Sequence, residues 1–219
     1  NRLDKKILNQ QSQYWERNFS SKPEMFGLEP SIAAIKSLEL FKKEKTKNII
    51  ELGAGLGRDT IFFAKNSIKV TALDYSPTAV EIIKKKSDSL GLSDFIDAQT
   101  HDLRQKLNFK DDSFEGCYSH MLYCMALSNF DLENLNNEIC RILKPGGINI
   151  YTVRHTDDGD YKNGVHIGED LYENDGFIVH FFSKEKVNQL SKGFKVLDVE
   201  KFEEGKFPRK LFKVTLKKK

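Results

Sequence analysis

The chain has few cysteines, and their positions exclude the usual structural roles of that residue. Its 219 residues include only three, Cys117, Cys124 and Cys140, and these do not follow a metal-ligand spacing. An odd number also excludes complete pairing in disulfides. The sequence therefore predicts no metal site, and it favours a reducing compartment, the cytoplasm.

Long apolar runs and a charge of one sign are also missing. No apolar stretch reaches the roughly 20 residues that a membrane-spanning helix needs, so we expect no membrane partner. Lysine and arginine number 35 against 32 aspartates and glutamates, which leaves a net charge of +3. So small an excess does not favour a nucleic-acid partner. The length fits a chain with a substantial core.

Three glycines are concentrated where a short apolar run meets a polar segment. Gly53, Gly55 and Gly57 directly follow Ile49–Leu52, which reads as a buried strand. Because glycine lacks a Cβ atom, the backbone there can adopt positive φ and lie against a ligand. A helix beginning at this point would also offer unpaired N–H groups. The stretch predicts a cofactor cradle, although a tight turn without a ligand has the same pattern.

A second apolar run, Ile68 to Tyr75, carries an acidic residue near its end. Asp74 follows Gly53 by about 20 residues, the separation at which an acidic side chain binds nucleoside ribose hydroxyls. Its alternative role is a turn residue before Ser76 and Pro77. A glycine turn followed at this separation by an acidic residue favours a nucleoside cofactor.

The glycine spacing distinguishes between cofactors. A dinucleotide fingerprint requires a third glycine where this chain has Arg58, and no triphosphate-binding loop is present. The pattern Glu51-x-Gly53-x-Gly55-x-Gly57 instead resembles motif I of the class I S-adenosylmethionine-dependent methyltransferases. The resemblance extends from about Lys47 to the end of the chain.

Apolar runs alternate with amphipathic segments, which predicts an α/β fold with helices on both faces of a mainly parallel sheet. The resemblance implies seven strands in the order 3-2-1-4-5-7-6, with the last strand antiparallel. Residues 1–45 are predicted to form an N-terminal lid and a helix with Ile32, Ile35, Leu38 and Phe41 on one face. Residues 46–219 are predicted to form the methyltransferase domain, with a long polar loop from Thr156 to Asn174.

The resemblance implies S-adenosyl-L-methionine as the cofactor. It places Asp74 on the ribose, Asp102 at the adenine amino group, and Tyr75 and Leu103 against the adenine faces. The full set of predicted cofactor contacts is Glu51, Gly53, Ala54, Gly55, Arg58, Asp74, Tyr75, Asp102, Leu103 and Ser119.

The predicted partner is a small-molecule methyl acceptor. Its expected contacts are Tyr14, His120, Tyr123 and His155. No catalytic residue is assigned, because His120, His155 and His180 are each a possible base and each equally a packed or substrate-binding histidine. The cluster of His155, Asp157, Asp158 and Asp160 resembles metal ligands, but an irregular loop favours a solvated turn.

A small acceptor follows by elimination. The nucleic-acid amino-methylating enzymes carry an Asp/Asn-Pro-Pro-aromatic tetrad after the fourth strand, where this chain has Ser119-His120-Met121-Leu122. Carbon methylation of cytosine needs a Pro-Cys pair, which is also missing. The chain is partly similar to tellurite-resistance and thiopurine methyltransferases. Two alternatives stay open: a cofactor-binding module without catalysis, and a nicotinamide-dependent oxidoreductase, against which Arg58 counts.

Overall fold

The computed structural model describes Leu3 and residues 5–219, which form helices on both sides of a central sheet. The helices are α1 (Lys5–Asn9), α2 (Gln11–Ser21), α3 (Ile32–Lys43), α4 (Arg58–Lys65), α5 (Pro77–Ser89), α6 (Asn129–Ile142) and α7 (Lys184–Gln189). The strands are β1 (Asn48–Leu52), β2 (Lys69–Asp74), β3 (Ile96–Thr100), β4 (Phe114–His120), β5 (Leu143–Arg154), β6 (Val165–Gly168), β7 (Leu171–Asn174), β8 (Phe177–His180), β9 (Phe194–Glu204) and β10 (Arg209–Lys218).

The central sheet has seven strands in the order β3-β2-β1-β4-β5-β10-β9. Strands β1 to β5 pair in parallel, whereas β10 is antiparallel to both β5 and β9. Because β6, β7 and β8 form a separate sheet, β9 and β10 are the sixth and seventh strands of the predicted order. The predicted topology 3-2-1-4-5-7-6 and the reversed last strand are confirmed.

Each face of the sheet has its own apolar core. On one face, Phe41 of α3, Phe63 of α4 and Ile83 of α5 are buried in one cluster with the sheet. The other face buries Leu135 of α6 and Val187 of α7. Helices therefore cover both faces of the sheet, as predicted.

The predicted apolar face of α3 is partly wrong. Ile32 and Ile35 are 55% and 45% exposed, whereas Ala33, Ala34 and Ser37 are buried beside Leu38 and Phe41. The cause is a polar contact at the start of the helix. The backbone N–H and the hydroxyl of Ser31 each donate to the buried carboxylate of Asp59, both at 2.8 Å. These bonds fix the rotation of α3, and its small side chains then face the sheet.

The polar stretch from Thr156 to Asn174 is more ordered than the sequence predicts. It contains β6 and β7, which pair with β8 in a three-stranded antiparallel sheet. The turn between β7 and β8 carries Asp175 and Gly176, both at positive φ, which is the usual sequence of a tight hairpin. Leu171 and Ile178 of this sheet pack on Leu8 of α1. The hairpin thereby holds the N-terminal segment against the domain.

None of the described helices is both long and apolar enough to cross a membrane. The three cysteines are free, with Cys117 and Cys124 buried.

We predict that the buried hydroxyl of Tyr118 stabilises the fold. It donates to Asp59 at 2.9 Å beside Ser31, in a network that joins β4, α4 and the start of α3. Tyr118→Phe leaves the Asp59 carboxylate short of one donor, so the free energy of unfolding in urea should fall by about 1–3 kcal/mol. Tyr172→Phe is the matched control, since no hydrogen bond to the Tyr172 hydroxyl is found among the described residues. Equal stabilities for the two variants would contradict the network.

Candidate active site

A cavity of about 310 Å³ lies at the carboxyl ends of the parallel strands, under α2. In an open α/β sheet this is the edge at which ligands bind. Eleven of the predicted contact residues line it: Tyr14, Glu51, Gly53, Ala54, Gly55, Arg58, Asp74, Tyr75, Asp102, Leu103 and His120. The structure therefore brings together most of the residues that the sequence singled out.

The glycine turn presents bare backbone to this cavity. Gly53 and Gly55 have φ of +67° and +57°, values that side-chain-bearing residues seldom adopt. A Cβ on Gly53 would lie 2.7 Å from Cδ1 of Leu122, and one on Gly55 would lie 3.8 Å from Cζ of Phe19. The loop after β4 and α2 thus enclose the turn. A side chain on Gly53 would collide with Leu122, so the space beside the turn depends on glycine at that position.

Asp74 holds the turn in place. One carboxylate oxygen accepts from Gly55 N and the other from Ser76 N, each at 2.9 Å. Burial raises the pKa of Asp74 to about 6, although both hydrogen bonds act to lower it. At neutral pH the group is mostly ionised, and each oxygen keeps a lone pair for a further donor. A pair of ribose hydroxyls supplies such donors.

The ends of β2 and β3 add an aromatic, an apolar and a charged side chain to the lining. Asp102 accepts from Arg104 N at 3.0 Å and from its guanidinium at 2.8 and 3.1 Å. Although burial raises the pKa of Asp102, the hydrogen bonds from Arg104 bring it below its ordinary value. Tyr75 and the buried Leu103 lie beside this pair in the cavity lining. His101 also lines it, and its buried Nε2 has no partner among the described residues.

Glu51 lies at the opposite end of the turn and is almost fully buried. Its carboxylate accepts a short hydrogen bond from the hydroxyl of Thr60 on α4. Burial raises the pKa of Glu51 well above its ordinary value, and the negative charge of Asp59 adds to the effect. A cation arriving in this part of the cavity would favour the ionised form, so Glu51 is suited to an ammonium group.

Helix α2 roofs the cavity with aromatic side chains. Trp15 stacks on Phe19 at 5.4 Å and meets Phe177 of β8 edge-on at 5.6 Å, while Tyr14 stacks on Phe177 at 5.9 Å. Gln11 anchors the helix, because its side chain donates to Gly176 O at 2.7 Å and accepts from Ile178 N at 3.3 Å. The roof is therefore fastened to the small sheet.

His120 lies at the end of β4 with both ring nitrogens bonded. Nε2 donates to the carboxylate of Glu204 at 3.2 Å, which leaves Nδ1 to accept from the hydroxyl of Thr152 at 2.7 Å. Thr152 also accepts from Met121 N at 2.8 Å, which is consistent with its hydroxyl hydrogen being directed at the ring. The imidazole is a fixed wall of the cavity, held at both ring nitrogens.

Three predicted contact residues do not line the cavity. Ser119, directly before His120, is fully buried on the opposite face of β4, since successive residues of a strand alternate. Tyr123 stacks on Tyr151 at 4.4 Å within the core of that same opposite face. His155 stacks on Phe212 at 4.4 Å, also away from the cavity. These placements correct the sequence interpretation for all three.

The remaining histidine candidate is also a packed residue. His180 is fully buried: its Nδ1 donates to Leu127 O at 2.6 Å, and the ammonium of Lys186 makes a short contact with its Nε2. Burial lowers its pKa to about 4, and the positive charge of Lys186 lowers it further. A base outside the cavity has no access to an acceptor.

The acidic cluster after β5 serves an ion pair. Asp158, 5% exposed, accepts from the guanidinium of Arg154 at 2.7 and 3.2 Å, and Asp160 accepts from it at 2.6 Å. Within the described chain no group of three or more potential ligands is placed to hold a metal ion. The interpretation as a turn was right, but Asp158 is buried rather than solvated.

Sequence reasoning missed Arg154, His101 and Trp15 as lining residues. The signal for Arg154 was available. Arg154 shares its face of β5 with Thr152, the register partner of His120, whereas the neighbouring His155 points away. Because side chains alternate along β5, a cavity that contains His120 should contain Arg154 rather than His155.

Known proteins with similar sequences or folds agree with this interpretation of the cavity. Residues 49–147, which include the glycine turn and Asp74, match the family model described as a methyltransferase domain. Residues 49–147 are thus a methyltransferase domain, and the surrounding fold is that of class I S-adenosylmethionine-dependent methyltransferases. The matched residues include the glycine turn, Asp74 and His120 of the cavity lining, whereas α2, Arg154 and Arg209 lie outside the match.

Individual relatives agree on the fold and differ in their reactions. The sterol 4-C-methyltransferase strm-1 of Caenorhabditis elegans is 30% identical over 160 residues, which is 70% of this chain and 47% of the nematode protein. The N-methyltransferase NodS of Bradyrhizobium japonicum WM9, solved with S-adenosyl-L-homocysteine, superimposes with a TM-score of 0.73 at 12% identity, over 94% of this chain and 97% of NodS. The [4+2]-cyclase SpnF gives 0.74 at 17% identity, over 96% of both chains.

The chain matches less than half the length of each of these curated relatives. It spans between 22% and 47% of the length of those it matches. The residues present nevertheless fit the cofactor that the family implies, S-adenosylmethionine. Asp74 keeps two acceptor lone pairs for a ribose diol, and a Cβ at Gly53 would collide with Leu122 beside the cradle. His101 lines the cavity and its buried Nε2 has no partner among the described residues.

We predict that cofactor affinity depends on the ionisation of Asp74. The ionised carboxylate accepts two ribose hydroxyls, whereas the protonated acid has one acceptor fewer, so affinity for S-adenosylhomocysteine should fall as the pH drops through about 6. Calorimetric titrations between about pH 5 and 8 measure this. The Asp74→Asn variant should bind S-adenosylhomocysteine at least about tenfold more weakly at the upper pH, and its affinity should no longer fall as the pH drops through about 6. An unchanged affinity in that variant would show that Asp74 does not bind the ribose.

Proposed function

We propose that this protein transfers the methyl group of S-adenosylmethionine to a small-molecule acceptor by direct in-line displacement. The observation that carries the proposal is the meeting of three elements in one cavity: the Gly53–Gly55 turn, the carboxylate of Asp74 and the end of β4 at His120. The first two fit the two ends of the cofactor. The third lies where an acceptor would approach.

The role of the protein is to bind and to align. When bound, S-adenosylmethionine supplies a methyl group that its sulfonium has already activated. Glu51 and the glycine turn would hold the amino-acid end, and Asp74 with Tyr75 and Leu103 would hold the nucleoside. Fixing donor and acceptor in line in this way can contribute roughly 7–11 kcal/mol to lowering the barrier.

Exclusion of water is the second contribution. The aromatic roof of Tyr14, Trp15 and Phe19 lies over the cavity, and Glu16 of the same helix makes short hydrogen bonds to the hydroxyls of Ser76 and Thr78. We infer that residues 1–45 are a lid and helix on a domain of residues 46–219, because α2 must move aside for the cofactor to enter. A dry site strengthens the electrostatic contacts inside it.

His120 contributes position rather than basicity in this scheme. Its Nε2 donates to Glu204 and its Nδ1 accepts from Thr152, so a proton could reach the ring only after one of these bonds breaks. The expected acceptor is therefore one that loses its proton to solvent or has none to lose. The size of the cavity, about 310 Å³, suits a small molecule. A cytoplasmic location stays a proposal that rests on the cysteine content.

Turnover separates catalysis from mere cofactor binding. We expect the protein, incubated with methyl-labelled S-adenosylmethionine and a panel of amines, thiols, phenols, sterols and carboxylic acids, to release S-adenosylhomocysteine with at least one of them. Asp74→Asn is the control and should lower the rate by at least about tenfold at limiting cofactor. Cofactor binding without turnover on any class would favour the non-catalytic module instead.

A thermal-shift panel tests cofactor choice independently. At about 100 times its dissociation constant, a true ligand stabilises the folded protein by about 2.7 kcal/mol. We expect this response to S-adenosylmethionine and S-adenosylhomocysteine and none to NAD or ATP, because Arg58 stands where a dinucleotide fold needs its third glycine. A response to NAD alone would overturn the assignment.

The roof can be observed directly through its indole. Trp15 is the single tryptophan of the chain and lines the cavity. Titration with S-adenosylhomocysteine should therefore change the intrinsic tryptophan fluorescence, with a midpoint equal to the calorimetric dissociation constant. Trp15→Phe keeps an aromatic roof and should bind with similar affinity but without the signal. A wild-type emission that stays constant through saturation would show that α2 does not cover the cofactor.

A further inference from the structure

The strand register places two arginines on one face at the edge of the cavity. His120 pairs with Thr152, Leu211 pairs with Arg154, and Arg209 pairs with Glu204. Paired residues point to the same face, and residues two apart on a strand do so as well. Arg154 and Arg209 therefore share the face that carries His120, and both line the cavity.

Arg154 is a buried and rigidly held cation. Its side chain is 5% exposed, its Nε and Nη2 donate to Asp158 and Asp160, and its guanidinium lies 5.4 Å from the ring centre of Phe181. Within the described chain Nη1 has no hydrogen-bond partner. A guanidinium locked on one side leaves its remaining donors in a fixed direction, which is suited to a carboxylate or phosphate.

Arg209 is the exposed counterpart. It begins β10 directly after the turn that follows Glu204, and among the described residues its guanidinium has no hydrogen bond or ion pair. Its register partner Glu204 is bonded to His120 instead, and that hydrogen bond lowers the pKa of Glu204, with the charges of Arg58 and Arg209 acting in the same direction.

The carboxylates near these arginines have their own partners. Asp158 receives four donors: two from Arg154, one from Asp160 N and one from Lys210 N. Asp160 is 59% exposed and therefore screened by water, and Glu204 accepts from His120. Donors without a partner among the described residues remain on Arg154 and Arg209, and also on Arg58, whose guanidinium donates only from Nη1 to Phe26 O at 3.3 Å. An oxyanion would satisfy those of Arg154 and Arg209, the two that share the face of His120.

We propose that Arg154 and Arg209 bind an oxyanion carried by the methyl acceptor. This inference rests on the proposed function and defines the substrate class as an organic acid, a carboxylate or a phosphate ester. The cavity lining also contains Met121, Met125 and Phe177, which suit an apolar remainder of the acceptor. Placed this way, the anionic group fixes the acceptor beside His120, next to the turn that holds the cofactor.

Binding of model acids to protein saturated with S-adenosylhomocysteine tests this without any turnover. The probes are phenylacetate, phenyl phosphate and the neutral amide phenylacetamide, titrated by calorimetry. We expect at least one acid to bind about tenfold more tightly than the amide. The stronger of the two acids identifies the head group. Equal affinities for all three, or no binding by either acid, would overturn the proposal.

Variants locate the anion. Arg209→Gln should lower the affinity for the acid about tenfold. Arg154→Lys keeps the positive charge beside Asp158 but loses the planar, bidentate guanidinium, so it should also lower the affinity. Lys206→Gln, on the same turn but outside the cavity lining, is the matched control and should leave the affinity unchanged. Unaltered affinity for S-adenosylhomocysteine shows that each variant is folded and that the cofactor site is intact. Loss of that affinity in Arg209→Gln would assign the arginines to the cofactor carboxylate and contradict the proposal, whereas the proposed cofactor site itself would stand.

Discussion

The site depends on one carboxylate that holds two backbone N–H groups. Asp74 accepts from Gly55 and from Ser76, and so it joins the turn after β1 to the start of α5. Gly53 and Gly55 are at positive φ, which glycine adopts readily, and the bond from Gly55 N selects one of the conformations open to it. The same carboxylate keeps lone pairs directed at the cavity. One buried side chain therefore shapes the cradle and supplies its main acceptor.

The start of α5 also holds the roof. The hydroxyls of Ser76 and Thr78, at the start of α5, donate short hydrogen bonds to the carboxylate of Glu16 on α2. On the other side Gln11 bonds the hairpin of β7 and β8. In the proposed role of α2 as a lid, opening would break polar contacts at both edges of α2 and separate its aromatic rings from Phe177. Local bonds of this kind open at a smaller free-energy cost than the central sheet does.

Local sequence was enough to predict the glycine turn and Asp74, because each is encoded within a few residues by apolar runs and glycine spacing. The sheet order came from the family resemblance that the glycine motif carries. The errors have a common cause. Whether His155 or Arg154 faces the cavity depends on which residue of β4 lies beside β5, and that register is set by distant segments. The burial of Tyr123 and the order of residues 165–180 likewise come from packing between segments far apart in sequence.

The fold alone does not decide the reaction, since a sterol C-methyltransferase, an N-methyltransferase and a cyclase all resemble this chain. Methyl transfer requires the cofactor to lie in the cavity with its sulfur facing the acceptor. A crystal structure grown with S-adenosylhomocysteine measures this most directly. The account predicts the ribose hydroxyls on Asp74, the amino-acid end on the turn of Gly53 and Gly55, and the sulfur facing the end of β4. A ligand bound elsewhere, or one that lies in the cavity with its ribose away from Asp74, would contradict it.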